Sequence, residues 1–129
     1  MAVWETDATL AKSDLMADYA TAWQVADKVV YSSTLAAPRT ANTRLERHFD
    51  PAAVRNLKTA ARRDLLVGGP NLAAQALDAG LVDELALFVW PVVLGGRTPA
   101  LPTDMRVELK LIEEHRFSSG VVHLRYRLL

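Results

Sequence analysis

The chain has 129 residues, half of them apolar and 23% charged, the balance of one ordinary globular domain with a core. Its 15 basic and 15 acidic residues cancel, so the charge does not steer it toward nucleic acid or an anionic membrane. The absence of cysteine excludes disulfide stapling, thiolate metal sites and a cysteine nucleophile, and it suits a reducing cytoplasm. Met1 to Asp7 is acidic and carries no apolar run, so no signal peptide is expected. The longest apolar run, Leu85 to Leu94, is about half the length a membrane-spanning helix needs. These features predict a soluble cytoplasmic domain.

In chain order, the first element is a helix over Ser13 to Ala26. Met16, Tyr19 and Trp23 recur there at helical spacing as core residues, with Ser13 as N-cap. Lys28-Val-Val-Tyr-Ser32 is a short β-branched run, read as a buried strand, and Thr43 to Leu45 is a short edge strand. Asp50-Pro51 starts a second helix, since Asp caps free amides and Pro is preorganised at the first helical position. Asp64-Leu-Leu-Val67 is read as another buried strand, delivering Gly68-Gly69 to a helix that opens at Pro70 and stops at Gly80.

Leu85 to Leu94 is too continuously apolar for a half-exposed strand, so a central strand covered on both faces is expected. At the C-terminus, Val107, Leu109 and Leu111 alternate with Glu108 and Lys110. Beyond Ser118-Ser119-Gly120, Val122, Leu124, Tyr126 and Leu128 alternate with His123, Arg125 and Arg127. Period two on both sides of such a turn predicts an antiparallel hairpin with one solvated face. The whole reads as an α/β fold with a mixed sheet, flanking helices and a C-terminal hairpin.

The stretch Asp64 to Leu72 carries the clearest chemical signal. Two glycines at a helix N-terminus let a ligand approach the backbone, where free amides and the helix dipole favour an anion such as a pyrophosphate. The plain alternative is a tight strand-to-helix turn with no ligand. Neither the G-x-G-x-x-G pattern nor the P-loop is present. Ser32-Ser33-Thr34-Leu35 follows a strand directly, and hydroxyls and amides at a strand's carboxyl end are placed to meet phosphate or ribose. A serine- and threonine-rich loop without a ligand is the alternative there.

His48, His115 and His123 lack ligand spacing, so no metal site is expected, and His123 is read as solvated. Asp83-Glu84 is given a structural role as a cap or ion pair. The absence of a G-x-S-x-G elbow leaves a serine hydrolase unsupported.

Taken together, five segments resemble the C-terminal reductase domain of the bifunctional riboflavin-biosynthesis deaminase/reductase and its relatives in the dihydrofolate-reductase-like family. They are Lys28-Val-Val-Tyr-Ser-Ser-Thr-Leu35, Leu66-Val-Gly-Gly-Pro-Asn-Leu72, Ala79-Gly-Leu-Val-Asp-Glu-Leu85, Pro91-Val-Val-Leu-Gly95 and Gly120-Val-Val-His-Leu-Arg-Tyr126. The resemblance implies a single, partial reductase-like domain over residues 1–129, reducing a pyrimidine- or pterin-like substrate with NADPH. By position, Ser32, Ser33, Thr34 and Leu35 would face the adenosine phosphate and ribose. Gly68, Gly69, Asn71 and Leu72 would cradle the pyrophosphate, and Leu94 and Gly95 would line the nicotinamide.

Two departures from the family pattern stand out. Ser33 occupies a place where relatives often carry a basic residue facing the 2′-phosphate, with either Arg39 or Arg44 as a candidate substitute. The family's first strands, and the Gly-Arg turn that follows them, have no counterpart before Trp4, which leaves an open sheet edge and an expected homodimer. A non-catalytic dimeric nucleotide-binding or scaffold domain that has lost the substrate pocket is the competing expectation.

Overall fold

A computed structural model describes residues 13–96 and 98–129. They divide between Phe49 and Asp50 into two compact units. The first holds helix α1 (Asp14–Val25) and strands β1 (Lys28–Tyr31) and β2 (Thr43–Glu46). The second holds α2 (Pro51–Ala60), α3 (Pro70–Asp78), β3 (Glu84–Val89), β4 (Leu109–Arg116) and β5 (Val122–Leu128). The α/β class and the C-terminal hairpin agree with the expectation from sequence. No helix among the described residues is long and apolar enough to cross a membrane.

In the first unit, Ser13 caps α1 by accepting the amide of Met16 at 3.3 Å, and Asp14 adds negative charge at the positive end of the helix dipole. Lys28 closes the other end. Its ammonium donates to the carbonyls of Trp23 (2.8 Å) and Ala26 (3.0 Å), and it lies 5.6 Å from the centre of the Trp23 ring. The chain then enters β1, which pairs in parallel with β2 from Lys28↔Thr43 to Tyr31↔Glu46. Met16 and Tyr19 are exposed and Trp23 is half-buried, rather than forming a core. Among the described residues of this unit the sheet is a two-stranded ladder, which offers little surface to cover a helix face.

In the second unit, Asp50 caps α2 through the amide of Ala52 at 2.9 Å, with Pro51 in the first turn. Helix α3 ends in a Schellman arrangement. Gly80, at φ +63°, donates to Leu77, and Leu81 donates to Ala76. Ala76 and Leu81 are buried together with Val121, and these three are the buried apolar residues of the described chain. Lys58 of α2 donates to the Leu81 carbonyl (2.8 Å) and pairs with Asp83 (2.6 Å), fixing the segment that leads into β3.

Strand β5 lies at the centre of an antiparallel sheet of order β3-β5-β4. The β4–β5 turn closes through Phe117 and Val121, with Gly120 at φ +88°. The register shifts between Leu111 and Glu113, a β-bulge that lets both halves of β4 pair with β5. On one face Leu85, Leu87 and Val89 stand opposite Tyr126, Leu124 and Val122. The other face carries an ion-pair ladder. Glu84 accepts from Arg125 (2.8 Å) and Arg127 (3.1 Å), and Arg125 also reaches Glu113 (3.1 Å). Asp83 and Glu84 therefore have the structural role that their position suggested.

The parallel β1–β2 ladder and the antiparallel order β3-β5-β4 give the fold its expected combination of parallel and antiparallel strands. Two expectations are corrected. Asp64–Val67 forms no strand and is exposed, Leu66 by 98%, because no strand pairs beside it among the described residues. The apolar run from Leu85 splits at Val89. Among the described residues β3 is paired on one side only, with β5, rather than on both, and Val93 and Leu94 beyond it are 98% and 86% exposed. Continuous apolar sequence marks a strand suited to two covered faces, but the covering must come from other segments.

Hydrogen bonds from Arg125 first and Arg127 second hold the Glu84 carboxyl below its ordinary value of 4.5. The folded chain thus binds this proton less readily than the unfolded chain, so the ion pair stabilises the fold above pH 4.5 and is lost as pH falls through the lowered value. We expect wild type to exceed Glu84→Gln in urea midpoint at about pH 6, with the difference shrinking below about pH 4.5.

Candidate functional site

Two loops carry the chemistry that the sequence singled out, one in each unit. The first follows β1. Ser32 donates its amide to Glu46 at 3.0 Å, continuing the β1–β2 ladder by one bond. Its hydroxyl then turns back and accepts the amides of Thr34 (3.3 Å) and Leu35 (3.1 Å), a local serine turn that competes with regular structure. Ser33 and Thr34 are exposed, and their hydroxyls have no protein partner among the described residues.

Arg47, just past β2, braces this loop from outside. Its guanidinium donates to the carbonyls of Ser32 (3.1 Å), Leu35 (2.6 Å) and Ala36 (3.5 Å). The expected cations behave differently. Arg44 is held by Glu46 at 2.8 Å, and Arg39 is exposed and makes no polar contact among the described residues. Sequence reasoning missed Arg47 because its reach depends on the β1–β2 register, which no local spacing encodes.

The second loop joins Val67 to α3. Gly69 adopts φ +90°, a conformation that side-chain-bearing residues rarely take, and precedes Pro70 at the start of the helix. No side chain caps this end. Ala73 donates to the Gly69 carbonyl, while the amides of Asn71 and Leu72 in the first turn have no acceptor among the described residues. A Cβ placed on Gly68 or Gly69 would meet no atom within 4 Å, so the backbone is open on that side. Two unpaired amides, an uncapped dipole and bare backbone together suit a pyrophosphate or another anion. The residues present fit the phosphate portion of a dinucleotide.

Leu94 and Gly95 lie in the same unit, beyond β3. Gly95 takes φ +59° and Leu94 projects into solvent. No hydrogen bond ties them to Gly68–Leu72 among the described residues. The second unit also has an open concavity lined by Leu77, Gly80, Val82, Asp83, Arg106 and Arg127, at the far end of α3 from the glycines. It contains none of the expected site residues. His123 shares the charged face of β5 but is half-buried rather than solvated, with its ring stacked 4.7 Å from Phe88.

Comparison with known proteins adds a second line of observation. The family profile of the RibD C-terminal domain matches residues 4–123. The uncharacterized protein YyaP of Bacillus subtilis (strain 168) is 40% identical over 75 residues, which are 57% of this chain and 40% of YyaP. The match therefore spans well under half the length of that relative. A solved structure from Shewanella sp. PV-4, named for riboflavin biosynthesis, aligns with a TM-score of 0.69 at 15% identity, over 96% of this chain and 78% of that one. A pyrimidine reductase-like protein of Corynebacterium diphtheriae aligns with a TM-score of 0.53 at 23% identity, over 68% of this chain and 39% of that one. At such identities the structures report a shared fold.

The two glycines should respond differently to a methyl group. Gly68 has open space and needs no positive φ, so Gly68→Ala should leave the thermal midpoint within about 2 °C of wild type. Gly69→Ala is strained at φ +90° and should cost about 1 kcal/mol, lowering the midpoint by about 3 °C. Differential scanning calorimetry checks both.

Proposed function

Because the chain belongs to the RibD C-terminal domain family, we propose that it is an NAD(P)H-dependent reductase acting on a pyrimidine- or pterin-like ring. Its fold is that of the riboflavin-biosynthesis reductase-like proteins. The family match runs across the division between the two units, which supports treating residues 1–129 as one reductase-like domain. The observation that carries the functional reading is the Gly68-Gly69 turn, with its open backbone and the unpaired amides of Asn71 and Leu72.

In this proposal each residue has a limited task. The amides of Asn71 and Leu72 neutralise phosphate charge without any lysine, and the glycines allow the ligand to approach the main chain. The hydroxyls of Ser33 and Thr34 offer donors and acceptors to ribose or phosphate, while the Ser32 hydroxyl keeps the turn in shape. Leu94 and Gly95 supply an apolar edge for the nicotinamide ring. NADPH, when bound, supplies the hydride, and the protein contributes orientation and exclusion of water. A cytoplasmic location belongs to the same proposal.

One set of observations favours a second reading, a dimeric nucleotide-binding or scaffold domain without catalysis. Leu66, Val93 and Leu94 are almost wholly exposed, and among the described residues β3 has a ladder on one side only. Contiguous apolar surface and an unpaired strand edge are features of association sites.

Calorimetric titration with NADPH and NADH, on samples checked by light scattering, tests the first reading and separates the second. We expect micromolar binding by wild type and a loss of at least about tenfold in Gly68→Ala, whose backbone methyl would occupy the ligand's approach. Absence of heat from a folded sample would rule out the reductase reading. A dimer that binds neither nucleotide would support the scaffold form of the second reading in its place.

A further inference from the structure

We infer that Arg47 is a positioning residue for the Ser32–Leu35 loop, holding that loop in one shape and placing a free positive charge beside it. The inference rests on the nucleotide reading proposed above, because it assigns this loop a ligand with phosphate or ribose.

The connection from β1 to β2 runs from Ser32 to Asn42 without a helix. A run of that kind has many conformations, and fixing its backbone costs roughly 1–2 kcal/mol per residue. Something must offset that cost where the loop has a single form. The Ser32 hydroxyl holds only Thr34 and Leu35. Arg47 supplies the larger constraint, drawing the carbonyls of Ser32, Leu35 and Ala36 onto one guanidinium. Carbonyls separated by three and four residues reach one planar group only if the chain between them is tightly curled. The curl turns the side chains of Ser33 and Thr34 outward.

The position of Arg47 follows from the ladder. Ser32 bonds to the carbonyl of Glu46, so the next residue starts level with the loop. A lysine there could reach one carbonyl at a time, whereas the rigid fork of arginine engages several.

Charge adds a second consequence. The carbonyls that Arg47 binds are neutral, and no carboxylate pairs with it among the described residues. Arg44, two strand positions before Glu46, is by contrast neutralised by that residue. Among the described residues the loop therefore carries an uncancelled cation next to two unpartnered hydroxyls. A phosphorylated ribose is the chemical class that uses both, and the added phosphate of NADPH over NADH is the group that would sense the charge.

Arg47→Lys and Arg47→Met in the full chain test this, with two readouts. Amide hydrogen exchange without ligand reports the loop itself. Exchange at the hydrogen-bonded amides of Thr34 and Leu35 should accelerate at least about tenfold in both variants, while β5 is unchanged. Nucleotide titration reports function. NADPH affinity should fall about tenfold in Arg47→Lys and further in Arg47→Met, and the preference for NADPH over NADH should shrink in Arg47→Met alone. Unchanged exchange in both variants would overturn the inference. Faster exchange with unaltered NADPH affinity would also overturn it, reducing Arg47 to a loop brace. If wild type binds neither nucleotide, the functional reading fails and the positioning role falls with it, although the exchange result would still show what orders the loop.

Discussion

Both edges of β5 are hydrogen-bonded, to β3 on one side and to β4 on the other, and the second unit is organised around that strand. Its alternation sends Val122, Leu124 and Tyr126 to the face shared with Leu85, Leu87 and Val89, and Arg125 and Arg127 to the face shared with Glu84. The same pairing fixes the start of β3. The segment before it is held by Lys58 of α2, and before that by the Schellman turn that ends α3. Helix α3 is thereby anchored at its C-terminus, while its N-terminus, with Gly68 and Gly69, is left uncapped and open. The stable end of the helix and its chemically available end are separated along its own axis.

The balance between apolar sequence and buried surface is unusual. Half the residues are apolar, yet the buried apolar set among the described residues is Ala76, Leu81 and Val121. The exposed apolar residues concentrate in Leu65–Val67 and from Phe88 to Leu94. These segments have the composition of interior strands and lack, among the described residues, the neighbours that would make them so. Hydrophobic burial is the largest favourable contribution to folding, so covering these segments would add substantially to stability. That consideration gives the dimeric reading its weight, independently of catalysis.

Features encoded within a few residues were legible in the sequence. Ser13, Asp50-Pro51, Gly80 and Gly120 each punctuate the chain where expected, because a cap or a turn depends on its immediate neighbours. The C-terminal hairpin was equally legible from its period of two. Asp64–Val67 was misread because strand character is local whereas a strand partner is not. The alternation places His123 with Arg125 and Arg127, on a face that reads as solvated, and the Phe88 ring across the ladder depends on a register that local sequence does not encode. Arg47 was missed for the same reason: one ladder bond to Glu46 decides which arginine meets the loop. The glycine turn was legible as a candidate, and the structure adds its open backbone and free amides.

The proposed nicotinamide dinucleotide meets the main chain at Gly68-Gly69. The most direct measurement is a titration of the isotopically labelled chain with NADPH, followed by amide chemical shifts. NADPH bound there would shift the amides of Gly68, Gly69, Asn71 and Leu72 together along one saturating curve. Shifts confined to other residues, or none at all in a folded sample, would contradict it.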